Sequence, residues 1–75
     1  MGELLLFLTK LREKKIFYTL SNPRAEAVMV EICVPGERWE AEFFADGTVE
    51  VERFRSNGEI SSQESFEELF RKFSD

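Results

Sequence analysis

Two stretches near the middle of the chain, Arg38–Phe44 and Thr48–Arg55, alternate apolar and charged residues around an Asp46-Gly47 pair. That alternation admits few folds, because strand side chains repeat every second residue and one sheet face must be buried. If Asp46-Gly47 formed a two-residue loop, Ala45 would pair with Thr48. Trp39, Ala41 and Phe43 would then share a face with Glu50 and Glu52, burying carboxylates against aromatic rings. A three-residue loop, Ala45-Asp46-Gly47 with Gly47 left-handed, shifts the parity by one. Phe43 then faces Val49 and Ala41 faces Val51, while Glu42 faces Glu50 and Glu40 faces Glu52. The hydrophobic pattern selects the three-residue loop.

A Pro35-Gly36 turn agrees independently. Pairing Val34 with Glu37 sets Ile32 opposite Trp39, Val30 opposite Ala41 and Val28 opposite Phe43. Strands are expected over Ile16–Ser21, Ala25–Val34, Arg38–Phe44 and Thr48–Arg55. Asn22-Pro23-Arg24, Pro35-Gly36 and Asp46-Gly47 separate them as turns, and Ser56-Asn57-Gly58 ends the last. Ile16, Tyr18 and Leu20 join the apolar face across the first turn. Trp39 belongs to the core, with Arg53 opposite it at the rim of the layer and its stem on the ring.

The period changes at both ends. Leu4, Phe7, Leu8 and Leu11 fall on one helical face, predicting a helix over Gly2–Lys15. Lys10, Arg12, Lys14 and Lys15 complement its dipole. Ser61 and Glu64 have the spacing of a capping box, followed by the stripe Phe66, Leu69, Phe70 and Phe73. Glu67 with Arg71 and Glu68 with Lys72 stand in the favourable i, i+4 order. Each helix has one stripe to bury and the sheet has one apolar face. The expected fold class is therefore α+β, a two-layer α-β-β-β-β-α arrangement with a four-stranded antiparallel meander and both helices on one face. The core comprises Leu4, Phe7, Leu8, Leu11, Val28, Val30, Ile32, Trp39, Phe43, Val51, Phe66, Leu69, Phe70 and Phe73.

The 75 residues amount to a single domain, 1–75, whose core must come from apolar burial. Cys33 is the one cysteine and there is no histidine, so neither an internal disulfide nor an ordinary zinc site can form. A lone cysteine fits a reducing compartment, and the expected location is cytoplasmic. Leu4–Leu8 is too short for a membrane span or a signal-peptide core. Met1-Gly2 would open an acylation signal, but Leu6 stands where a serine or threonine is required. A net charge of −5 argues against a nucleic-acid partner and favours a basic protein partner.

The other sheet face carries Glu31, Glu40, Glu42, Glu50 and Glu52, with Phe17, Thr19, Met29, Cys33, Arg38, Phe44 and Phe54 around them. Like charges directly opposite one another cost up to about 1 kcal/mol a pair. Such a face either keeps an open sheet wet or serves as an acidic surface that docks a basic partner. The partner-binding candidates are Glu31, Arg38, Glu40, Glu42, Phe44, Glu50, Glu52 and Phe54. Glu40, Glu42, Glu50 and Glu52 are expected to be solvent-exposed together, and Arg38 to stack on Phe54. Cys33 is read as an ordinary exposed or half-buried residue and not as a reactive thiol. Paired glutamates on a flat face lack the pocket that acid–base catalysis needs, so no catalytic residue is assigned. No looped oxygen pattern supports calcium, and no cofactor or metal is expected. The leading expectation is a non-catalytic protein-interaction domain. The alternative is a homodimer formed through the sheet edge or through Phe17, Met29, Phe44 and Phe54. A small enzyme would need groups from a partner chain.

The run from Val34-Pro35-Gly36-Glu37-Arg38-Trp39-Glu40 through Asp46-Gly47 to Val49-Glu50-Val51-Glu52 resembles a family of short, uncharacterised bacterial proteins. With Ser56-Asn57-Gly58 and the closing Phe66–Phe73 helix, the likeness covers about two-thirds of the chain. It implies a bacterial origin and a small α+β domain, with no assigned activity. In general type, small acidic domains of this shape also resemble immunity proteins that neutralise toxins.

Overall fold

Turn chemistry decides how this chain pairs. The computed structural model describes residues 2–62 and 66–73. Its elements are α1 (Gly2–Glu13), β1 (Tyr18–Arg24), β2 (Ala27–Val34), β3 (Glu37–Phe44), β4 (Val49–Arg55), β5 (Ile60–Ser62) and α2 (Phe66–Phe73). The strands form one sheet in chain order, each antiparallel to the next. The α+β architecture is the expected one, its first four strands a meander, and a short fifth strand extends it.

The β3–β4 loop has three residues. Phe44 N–H donates to Thr48 O at 2.9 Å, Gly47 N–H donates to Phe44 O at 3.0 Å, and Gly47 has φ 94°. Asp46 Oδ1 accepts from the backbone N–H and the hydroxyl of Thr48, at 2.9 and 2.7 Å. Those bonds hold the Asp46 carboxyl below its usual range. Phe43 therefore faces Val49 and Glu42 faces Glu50, as the alternation required.

Ser56-Asn57-Gly58 repeats this loop. Arg55 N–H donates to Glu59 O at 2.8 Å, Gly58 N–H donates to Arg55 O at 2.9 Å, and Asn57 Oδ1 accepts from Glu59 N–H at 3.0 Å. Gly58 has φ 92°. The segment ends β4 as expected, but it also opens a hairpin into β5, so β4 is not the last strand. Ser61, expected to cap α2, pairs with Arg53 inside β5. Its expected partner Glu64 and the side chain of Phe73 lie outside the described residues and side chains.

The first turn also differs from expectation. Asn22-Pro23-Arg24 lies within β1, and the chain reverses at Ala25-Glu26 between the paired residues Arg24 and Ala27. The register slips between Ser21 and Arg24, where Asn22 Nδ2 donates to Arg24 O at 2.7 Å and to Ala27 O at 2.5 Å. A proline is tolerated there because it sits in the bulge of an outer strand, where the ladder is already interrupted.

α1 stops earlier than the Gly2–Lys15 expectation, at a left-handed Lys15 with φ 58°. Lys15 N–H donates to Arg12 O at 3.0 Å and Ile16 N–H to Leu11 O at 2.9 Å. This is the Schellman pattern, and the apolar contact that accompanies it falls to Leu11 and Ile16, both in the core.

Both helices pack on one face. Leu4, Phe7, Leu8 and Leu11 of α1 and Leu69 and Phe70 of α2 share a core with Val30, Ile32, Trp39, Ala41, Phe43 and Val51. Phe7 is the hinge of an aromatic cluster, 5.4 Å from Phe43, 4.2 Å from Phe66 and 5.8 Å from Phe70 between ring centroids. Offset and edge-on pairs at these distances add to the area they bury.

Arg53 is not at the rim; it is buried beneath α2, with its guanidinium carbon 4.9 Å from the Trp39 ring centroid. It donates twice to Glu37, Nε to Oε1 at 2.9 Å and Nη2 to Oε2 at 2.7 Å. The Trp39 indole N–H donates to Glu37 Oε1 at 2.9 Å and Lys72 Nζ to Oε2 at 3.1 Å. Four donors aimed at one carboxylate, the Arg53 pair foremost, hold Glu37 at a pKa of about 2 against its ordinary 4.5. Lys72 thus reaches from α2 to the sheet, while Arg71 pairs with Glu68 one turn back. That bond with Arg71 draws the Glu68 carboxyl below its usual range.

Candidate docking face

The register places every expected site residue on the face turned away from the helices. Glu31, Glu40 and Glu52 are aligned across β2, β3 and β4, Met29, Glu42 and Glu50 beside them, and Cys33, Arg38 and Phe54 beyond. Phe44 closes the far end opposite Ala27. The three-residue loop is what brings them together, since a two-residue loop would have split the glutamates between faces.

The arginines on this face do more than the sequence suggested. Arg38 stacks on Phe54 as expected, its guanidinium carbon 4.5 Å from the ring centroid. From that perch it lies 3.8 Å from Glu31 Oε2 and 3.6 Å from Glu40 Oε2, so one cation separates two carboxylates that face each other. Exposed pairs at these distances are worth little individually, up to about 1 kcal/mol. Their effect is to lower the like-charge cost of the Glu31–Glu40 pairing.

Glu42 corrects the expectation of a fully exposed quartet. It is 6% exposed, whereas Glu40 is half-buried and Glu50 and Glu52 are exposed. The cause is Arg24, which the slipped register of β1 brings over this face. Its guanidinium carbon lies 5.6 Å from the Phe44 ring centroid, and its Nε lies 2.9 Å from Glu42 Oε2. The approach is an ion pair without hydrogen-bond geometry, and Glu42 Oε2 has no hydrogen-bond partner among the described residues. Arg24 was missed because a long side chain reaching from a turn leaves no mark on a period-two pattern.

What remains on the surface is a strip on β4. Glu50 and Glu52 are exposed side by side, with no cation in ion-pair range among the described residues. Half-buried Phe44 and Phe54 flank them, half-buried Met29 lies beyond Glu42 on β2, and Cys33 is exposed at one end of the face. The face is an open surface. One cleft borders it at the sheet end, lined by Leu4, Phe44 and Val49, and another lies between the helices against Leu6 and Phe70. No helix among the described residues is long and apolar enough to cross a membrane. No family model, curated protein or solved structure matches the chain.

Proposed function

We propose that this chain is a non-catalytic protein-interaction domain that docks a basic partner on its open sheet face. The observation that carries the reading is the division of labour among the charges. Arg24 and Arg38 are engaged by Glu42, Glu31 and Glu40, and the exposed Glu50 and Glu52 are left beside apolar rings. A negative strip with apolar neighbours offers both halves of a docking surface, steering charge and area to bury. An inhibitor of immunity type is the form that best fits this reading, with the carboxylates covering a basic site on the partner. The setting is reducing and cytoplasmic, as suits a single exposed cysteine.

The test is charge reversal. Glu50→Lys combined with Glu52→Lys leaves the core face untouched, so the domain should stay folded by circular dichroism. The parent should capture its partner from lysate at about 0.05 M salt and release it towards about 0.5 M, where the Debye length falls to a few ångströms. The reversed variant should fail to capture it at either salt. Equal recovery of the same proteins by both forms would leave the glutamates a solvating role alone.

A further inference from the structure

The outer edge of β1 has a chemistry of its own. Phe17 O accepts from Cys33 N–H at 3.4 Å, so the odd-numbered residues Phe17, Thr19 and Ser21 turn their backbone groups towards β2. Tyr18 and Leu20 therefore turn theirs outward, where no strand covers them among the described residues. Edges of this kind are ordinarily blunted by charge or proline. Here the bulge and Pro23 guard only the far end, while Ile16–Pro23 is the longest run without a charge in a chain of net charge −5. Leu20 is 52% exposed although it lies on the helix side, and Phe17 is 67% exposed.

We propose that a second copy of this chain adds to this edge, β1 against β1, antiparallel about a two-fold axis through Thr19. In that register Tyr18 of one copy exchanges both backbone bonds with Leu20 of the other, and the reverse, so the outward groups of each strand are satisfied. Side chains match as well. Tyr18 meets Leu20 on the helix side, while Thr19 meets Thr19 and Phe17 meets Ser21 on the open side, pairings that favour an antiparallel sheet. Charge selects a second copy at this edge and not at the open face. Two open faces would set Glu50 and Glu52 against their own kind, whereas two β1 strands meet without a like charge between their paired residues. The two five-stranded sheets then run on as one, with both acidic faces on the same side. None of this depends on what those faces bind.

Thr19 on the axis allows a direct test. Sedimentation of the full chain should show a mass approaching twice 8.8 kDa as concentration rises through the micromolar range. Thr19→Lys and Thr19→Glu each set like charges face to face and should each shift the mass back towards the monomer. Mixing the two variants should restore the dimer, since lysine then meets glutamate. Leu20→Pro deletes an outward N–H that the β1–β2 ladder does not use, and it should weaken association roughly tenfold or more while the circular dichroism holds. A parent that stays at 8.8 kDa up to millimolar concentration would overturn the proposal, and so would a foreign strand as the only occupant of the edge. A dimer indifferent to Leu20→Pro, or variants that the mixture fails to rescue, would also overturn it.

Discussion

On the helix side of the sheet Arg53 holds Glu37; on the open side Arg24 holds Glu42. Both arginine–glutamate contacts lie within 3 Å, yet they differ in kind. The side chains of Arg53 and Glu37 are each 5% exposed, joined by two parallel hydrogen bonds and backed by an indole N–H and a lysine. The Arg24 side chain is 56% exposed and meets the buried carboxylate of Glu42 without hydrogen-bond geometry. Burial turns the first pair into a strut across β3 and β4, which α2 joins through Lys72. The second is a cover whose arginine is already in water, so a partner can move it cheaply. One residue pairing thus serves the fold on one face and leaves the other face adaptable.

The sharpest way to break this contrast is to remove each arginine in turn. Arg53→Ala leaves a carboxylate buried under α2 without its main donors, and should cost about 3–5 kcal/mol, read as a shift in the denaturant midpoint. A loss below about 1 kcal/mol would mean that water reaches Glu37 and that the strut is no strut.

Acid should expose the same difference. Glu37 is held at about 2 against 4.5, so unfolding takes up a proton between those values. The sign follows: the contribution, about 3 kcal/mol, is fully present above about pH 5 and is lost as pH falls towards 2. Denaturant unfolding at stepped pH should show this loss in the parent, and in Arg53→Ala the acid limb should flatten.

Arg24→Ala is the milder counterpart. Departure of an exposed side chain opens Glu42 to water, which replaces most of what is lost, so the cost should be about 1–2 kcal/mol. A cost equal to that of Arg53→Ala would make the two faces alike.

Much of this was legible in the sequence. Alternation around Asp46-Gly47 and Pro35-Gly36 set the register of β2, β3 and β4, because a single slip would bury Glu50 and Glu52. Parity also held the means to find the strut, since Glu37 falls on the Trp39 face two residues away and Arg53 lies opposite Trp39. The fifth strand was harder. Ser56-Asn57-Gly58 has the loop chemistry of Ala45-Asp46-Gly47, but β5 has only Ile60–Ser62, too short to display a period. Asn22-Pro23 misled for a different reason. Residues that favour turns also suit a bulge on an outer strand, and only the pairing of Arg24 with Ala27 tells them apart. The burial of Glu42 depends in turn on that bulge, so the error in the turn and the error in the site were one error.

Glu50→Gln with Glu52→Gln is the measurement that tests the docking face most directly, with stability and partner capture read on the same sample. Glu50 faces Glu42, and Glu52 faces Glu40, so removing the charges should relieve repulsion by about 0.2–1 kcal/mol a pair. A docking face predicts a variant that is more stable to denaturant and yet captures less partner at low salt, the opposition expected of a surface kept at a cost to folding. A variant that gains stability and captures as much as the parent would contradict it.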